Sequence, residues 1–166
     1  MFELKEFIAA EKMLRKCHER RRFIKTPLLL VQYNYCCGQF FDFNRKFLLA
    51  AYRYYQACNI ADSPLKAENI SQMLSKAVDT CILSEAGSKK DFLCSQLVKD
   101  ERSKDLENHA ILSKMFNDEF IKKEEVDILS KGLQKHQKII LDNNLDNVQS
   151  VILEHNIIVT SKHFRD

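Results

Sequence analysis

Apolar residues recur along this chain at three- and four-residue intervals, and that recurrence predicts its elements. Phe7, Ala10, Leu14 and Cys17 mark one face of a helix near the start of the chain. A dense basic run from Arg15 to Lys25 closes it. Thr26 then precedes Pro27, an N-cap followed by proline at the first helical position, where the missing N–H is an orphan anyway. The second helix takes Leu29, Tyr33, Cys36, Cys37 and Phe40 as its face, and Gly38 inside it lets a neighbouring helix approach closely. Asp42 is read as the cap of a third helix carrying Phe43, Phe47, Ala50, Ala51, Tyr54 and Cys58. Ser63 and Pro64 repeat the cap-then-proline signal. The fourth helix has the cleanest stripe: Ile70, Met73, Leu74, Ala77, Val78, Cys81 and Ile82, with Gly87 as its stop. Ser88 and Asp91 resemble a capping box that opens a helix through Phe92, Leu93 and Leu97. Leu106, Ala110 and Met115 predict a sixth helix, and Val126, Leu129 and Leu133 a seventh. Asn143 and Asn144 introduce the last, with Leu145, Val148, Ile152, His155 and Val159 on one face.

No segment alternates with period two for long enough to predict a strand, and only 3 Gly and 2 Pro are available for turns. The fold class is therefore all-α, with about eight helices in antiparallel pairs. Phe7-Ile8-Ala9-Ala10 with Cys17 is echoed by Phe47-Leu48-Leu49-Ala50-Ala51 with Cys58, a shift near forty positions. That period predicts a helical-repeat (TPR-like) solenoid, whose units must stack to bury their faces and so present long surfaces.

A composition of 45% hydrophobic and 30% charged residues suits one soluble globular domain of 166 residues. The net charge of +3 implies no particular partner. The basic run, with Arg20, Arg21 and Arg22 at its centre, could meet RNA phosphate or an acidic protein face, but a solvated link between helices is the expectation. The first turn is charged where a signal peptide needs an apolar core, and no aliphatic run is long enough to span a bilayer. The six cysteines form no CxxC and mostly sit at helical spacing beside apolar residues. They are expected to be reduced and mostly buried, in the cytoplasm or nucleus.

The histidines His18, His109, His136, His155 and His163 offer no ligand spacing for a metal, and Cys36 and Cys37 point to different sides of a helix. No nucleophile elbow or phosphate-cradling glycine loop occurs. A Cys–His pair could meet only in the fold, so its spacing carries no signal. The expectation is no catalytic residue, no cofactor and no enzymatic role. The aromatics between Tyr33 and Tyr55 are placed in the core, not on a base-stacking face.

Several segments carry a resemblance. Arg45-Lys46-Phe47-Leu48-Leu49-Ala50-Ala51-Tyr52-Arg53-Tyr54 resembles a helix that precedes the PCI domain in signalosome and proteasome-lid subunits. Cys81-Ile82-Leu83-Ser84-Glu85-Ala86-Gly87, Leu97-Val98-Lys99-Asp100-Glu101-Arg102, Ile111 to Met115, His136-Gln137-Lys138 and Val151 to Ile158 follow in the family's order. The fit is better to the fourth subunit of the signalosome than to its counterpart in the proteasome lid, mainly through Ala86-Gly87, Lys99 to Arg102 and Glu154 to Asn156.

That resemblance implies a non-catalytic scaffold of a complex that removes the ubiquitin-like modifier Nedd8 from the cullins of cullin-RING ubiquitin ligases, with the metalloprotease centre on another subunit. It implies the end of a solenoid over about residues 1–60 and the helical part of a PCI domain over about 64–166. The winged helix of that domain is expected to begin where this chain stops, at Phe164-Arg165-Asp166, and to be absent here. The implied partners are other signalosome subunits and cullin-RING ligases. The last helix is apolar on more than one side. One side is expected to pack on the preceding helices. The other, near Ile157 and Ile158, is expected to meet a partner or a second copy of the chain. Arg20, Arg21, Arg22, Ile157 and Ile158 are thus the candidate contact residues.

Overall fold

The computed structural model describes residues 4–62, 65–140 and 145–163. Among the described residues eight α-helices follow one another: α1 Leu4–Glu19, α2 Pro27–Phe43, α3 Phe47–Cys58, α4 Ala67–Ile82, α5 Ser88–Lys99, α6 His109–Phe116, α7 Lys123–Gly132 and α8 Asn147–His163. Short 3-10 turns at Arg21–Phe23, Glu101–Ser103 and Lys135–Gln137 lie between them. Among the described residues extended pairing is confined to one bridge between Ile140 and Asp146. The all-α helical-repeat fold read from the periodicity is the fold observed.

Helix α3 lies between α2 and α4, and this layer builds the centre of the molecule. Its buried stripe is Phe47, Ala50, Ala51, Tyr54, Ala57 and Cys58, as the spacing predicts. The stripe of α4, from Met73 to Ile82, is also buried as expected, with Ile70 packed at its edge. One contiguous core runs from Val31 in α2 to Ile152 in α8.

The face of α2 differs from expectation. Its buried residues are Val31, Tyr33, Asn34, Cys37, Gly38 and Asp42, while Leu29 and Cys36 are exposed and Phe40 is half-buried. The hydrophobic stripe misplaces the face because two polar residues and a glycine hold its centre. A Cβ at Gly38 would lie 2.7 Å from Cδ1 and Cε1 of the Tyr54 ring, so the glycine is what lets α2 and α3 close, as the sequence suggested. Asn34 is accommodated by donating to the Leu30 carbonyl at 3.0 Å and accepting from Arg53 Nη1 at 3.3 Å.

Asp42 is not the cap of α3. It is buried in the last turn of α2, which continues to Phe43. The reversal is made by Asn44, Arg45 and Lys46. Arg45 takes a left-handed φ of 59°. Its N–H donates to Asp42 O at 2.9 Å, and the Lys46 N–H to Phe41 O at 2.8 Å. This is the paired pattern that normally ends a helix with glycine at the left-handed position. Phe43 therefore belongs to α2 and is 44% exposed instead of core.

Other boundaries move for local reasons. Thr26 and Pro27 open α2 as expected, although the threonine side chain makes no capping bond. Ser63 and Pro64 lie outside the described residues, and α4 opens at Ala67. Gly87 does not stop α4, which has ended at Ile82; it stands directly before α5, and Ser88 makes no capping-box bond. The end of α4 is held instead by the buried Lys90 ammonium, which donates to the carbonyls of Ile82 at 3.0 Å and Ser84 at 2.7 Å. Leu106 precedes α6, Ala110 is exposed, and Ile111 and Leu112 are the residues α6 buries. Phe92 of α5 is 64% exposed while Leu93 and Leu97 are buried, as expected of those two. In α1, Ala10 and Leu14 are half-buried and Cys17 is exposed; the Phe7 side chain lies outside the described residues. Cys37, Cys58, Cys81 and Cys94 are buried, as expected of most of the cysteines, whereas Cys17 and Cys36 are exposed.

Helix α8 buries Val148, Ile152 and Val159 and half-buries His155, as predicted, while Leu145, expected on the same face, is half-buried and precedes the helix. Asn143 and Asn144 lie outside the described residues. Its start is capped by Asp146, whose carboxylate accepts the Gln149 N–H at 2.7 Å while Gln149 Oε1 accepts the Asp146 N–H at 3.2 Å.

Candidate interaction surface

Several residues of the segments singled out in the sequence join one helix to another in the fold. Asp42 accepts from Gln137 Nε2 at 2.8 Å and lies 3.1 Å from His136 Nε2. The Tyr54 hydroxyl donates to its other oxygen at 3.5 Å. Burial, and then the charge of Asp42, push the Tyr54 hydroxyl far above its ordinary pKa, so it stays a donor. One carboxylate thus ties α2, α3 and the turn before α8 together. Lys138 completes that turn by donating to the Ser130 carbonyl at 2.6 Å.

Arg102 does similar work between α5 and α6. Its guanidinium is held by Asp100 at 2.9 and 2.6 Å. It then reaches the end of α3, donating to Cys58 O at 3.0 Å and Asn59 Oδ1 at 2.6 Å. The Arg102 bonds hold the Asp100 carboxyl below the usual carboxylate range. Lys114 of α6 donates to Glu125 of α7 at 2.6 Å. Asn156 of α8 clamps the backbone of Ile121, accepting its N–H at 3.0 Å and donating to its carbonyl at 2.9 Å. His155 Nε2 lies 2.9 Å from the Glu119 carbonyl, and Lys162 pairs with Asp118 at 2.7 Å. These bonds fasten α8 to the α6–α7 link.

The predicted contact residues fall at two separate places. Arg20 and Arg22 are exposed at the turn after α1, with the Arg22 guanidinium 4.9 Å from the Phe23 ring centre. Arg21 is half-buried and lines a cleft with Leu30, Tyr52 and Tyr55. Ile157 and Ile158 are 59% and 37% exposed on α8, next to Leu153 at 49%. Ile158 borders another cleft, with Lys90, Cys94 and His155. Sequence reasoning missed Asp42, Lys90 and Asn156 as joining residues. Each sits in a helical pattern that gives no sign of its distant partner.

Among the described residues no three His, Cys, Asp or Glu side chains stand where they could share a metal ion, and no described helix is long and apolar enough to cross a membrane. The buried thiols of Cys81 and Cys94 are 3.3 Å apart. Their shared hydrogen bond raises Cys81 and lowers Cys94.

No protein-family profile matches the chain. Curated proteins do. COP9 signalosome complex subunit 4 of Arabidopsis thaliana is 34% identical over 119 residues, 69% of this chain and 30% of that protein. The subunit 4 of Neurospora crassa is 33% identical over 142 residues, 85% of this chain and 32% of that protein. That of Dictyostelium discoideum is 29% identical over 157 residues, 95% of this chain and 39% of that protein. The chain is homologous to part of COP9 signalosome subunit 4. It spans about a third of the length of these relatives. The residues that carried the resemblance therefore have a physical meaning. Asp100 with Arg102, Lys114, and His155 with Asn156 are joints of the helical stack, and a change in any of them would alter how helices meet.

Proposed function

We propose that this chain is a non-catalytic scaffold segment of a signalosome subunit, acting in the cytoplasm and nucleus by holding other subunits of the complex in place. The complex removes Nedd8 from cullins of cullin-RING ligases, with the cleavage chemistry on a different subunit. Residues up to about 60 are the end of a solenoid, and those from about 64 onward the helical part of a PCI domain. The observation that carries this reading is the similarity to COP9 signalosome subunit 4, which extends over up to 95% of the chain. Its supporting physical feature is an interior spent on joining helices, with apolar residues left on the outside of α8.

The test is co-purification. The chain, and a version continued to the length of its relatives, is co-expressed with the remaining signalosome subunits and captured by an affinity tag. The expected result is stoichiometric recovery of defined signalosome subunits by the longer version, with loss on replacing Ile157 and Ile158 by serine. Recovery of none of them by the longer version would overturn the assignment.

A further inference from the structure

We propose that Cys81 and Cys94 form a dithiol site for small hydroperoxides, in which Cys94 meets the oxidant and Cys81 closes a reversible disulfide. The inference does not rest on the signalosome reading, since it concerns thiols of this chain whatever the chain assembles with.

The two sulfurs lie 3.3 Å apart, one on α4 and the other on α5. Both belong to buried faces, Cys81 beside Ala77 and Val78 and Cys94 beside Leu93 and Leu97. A disulfide needs a sulfur separation of about 2 Å, so a small side-chain movement closes it.

The two thiols differ in access. Cys81 is 0% exposed, whereas Cys94 keeps 3% of its surface. Cys94 forms part of the wall of a cleft of about 310 Å³ between α5 and α8, together with Lys90 and Glu154. Water therefore touches Cys94 and not Cys81. Hydrogen peroxide is little larger than water and takes the same route, which fixes the order of the two residues. They differ in charge as well. The hydrogen bond from Cys81 and the nearby Lys90 ammonium lower the Cys94 thiol, against burial and Asp91. The same bond, with burial, raises Cys81. Cys81 thus keeps its proton and donates it, and Cys94 is the sulfur that carries thiolate, the reactive form. Lys90 is fixed there by the carbonyls of Ile82 at 3.0 Å and Ser84 at 2.7 Å.

In the first step the Cys94 thiolate attacks one peroxide oxygen and the O–O bond breaks. The other oxygen leaves as alkoxide or hydroxide and takes the proton that the thiol gave up. Cys94 is now a sulfenic acid; its sulfur has been oxidised and the peroxide reduced. In the second step the Cys81 sulfur attacks the Cys94 sulfur. The S–S bond forms, the S–O bond breaks, and water leaves with the Cys81 proton. Two thiols and one hydroperoxide have become one disulfide, one alcohol (or water) and one water. The product fastens the last turn of α4 to α5, and thiol exchange in a reducing compartment reopens it.

The test treats the full folded chain with hydrogen peroxide, blocks the remaining thiols with N-ethylmaleimide in denaturant, and maps tryptic peptides by mass spectrometry. Cleavage at Lys89 and Lys90 separates the two cysteines. The expected result is loss of two of the six thiols, with the Cys81 and Cys94 peptides joined while Cys17 and Cys36 still carry the blocking group. Dithiothreitol should restore both thiols. In Cys81→Ala no cross-link forms, and dimedone should capture Cys94 as its sulfenic acid; in Cys94→Ala, Cys81 should stay reduced. Circular dichroism checks that each variant folds, and where one does not, the map of the parent chain decides. The proposal is overturned if Cys94 stays reduced while Cys17 and Cys36 oxidise, or if Cys94 passes to sulfinic acid with no cross-link. It is also overturned if the cross-link forms only in denaturant, if dimedone captures nothing on Cys94 in a folded Cys81→Ala variant, or if Cys81 oxidises as readily without Cys94.

Discussion

Replacing Gly38 by alanine sets two effects of opposite sign against each other. In an exposed helix interior the change stabilises by about 1 kcal/mol, because glycine has more backbone freedom to lose on folding. Here the added methyl would lie 2.7 Å from two carbons of the Tyr54 ring and 3.1 Å from a third. Tyr54 is 1% exposed, its hydroxyl is tied to Asp42, and Tyr35 packs on it with ring centres 5.8 Å apart. The ring has nowhere to go, so α2 and α3 must separate. Overpacking of this kind costs about 1–3 kcal/mol, and the layer forced apart is the centre of the core. The net expectation is destabilisation by about 1–2 kcal/mol. Urea unfolding followed by circular dichroism measures it, with a stabilising osmolyte present for the weaker variants. The decisive comparison is the same substitution in a Tyr54→Ala background, where the ring is gone. There Gly38→Ala should become stabilising by about 1 kcal/mol, a coupling of about 2–3 kcal/mol between the two sites. If Gly38→Ala stabilises the parent chain, or destabilises both backgrounds equally, the close approach at Gly38 is not what sets the α2–α3 spacing.

The Asp79 carboxyl is raised to about 6 by burial, partly offset by the Asn108 amide that donates to it at 2.6 Å. The folded chain therefore holds that proton more tightly than the unfolded chain, and stability falls as pH rises from about 4 to 6. Asp79→Asn keeps the acceptor and removes the charge, so it should stabilise by about 1–3 kcal/mol at pH 8 and change little at pH 4. An equal effect at both pH values in thermal melts would refute it. Thiol titration of the folded protein should show Cys17 and Cys36 reacting quickly and the four buried cysteines slowly, with Cys58 slow also because burial pushes it up to about 12. Rapid reaction of all six would contradict the described core. Replacing Ile157 and Ile158 with serine should lower the melting temperature little, since both are exposed, and should reduce the particle size seen by light scattering if α8 drives self-association. A clear fall in melting temperature with unchanged particle size would refute that role.

The helices themselves were legible because each central one buries a continuous stripe. In α3 and α4 the apolar residues at helical spacing are the ones that became core, and the scarcity of glycine and proline left few other folds open. Helix ends and faces were less legible where polar groups decide them. The face of α2 contains Asn34, Gly38 and Asp42, which a hydrophobic stripe cannot find, because their burial depends on Arg53, Tyr54, His136 and Gln137 arriving from other parts of the chain. The end of α4 is set by Lys90, a residue that any pattern assigns to solvent until its two carbonyl acceptors are in place.

The same division holds for the surfaces. The sequence alone determined a helical-repeat stack, its principal stripes, and an α8 with more apolar residues than one side can bury, since these follow from composition and period. Through resemblance it also determined the family, but not what the shared residues do. Only the tertiary structure decided that Asp100, Arg102 and Asn156 are joints, and that Arg45 and Asn147, about a hundred residues apart in sequence, line one cleft. The physical reason is range. Hydrophobic period is set by neighbours within a turn or two of helix. A hydrogen-bond partner, or the lack of one, is set by whichever distant segment the folded chain brings alongside.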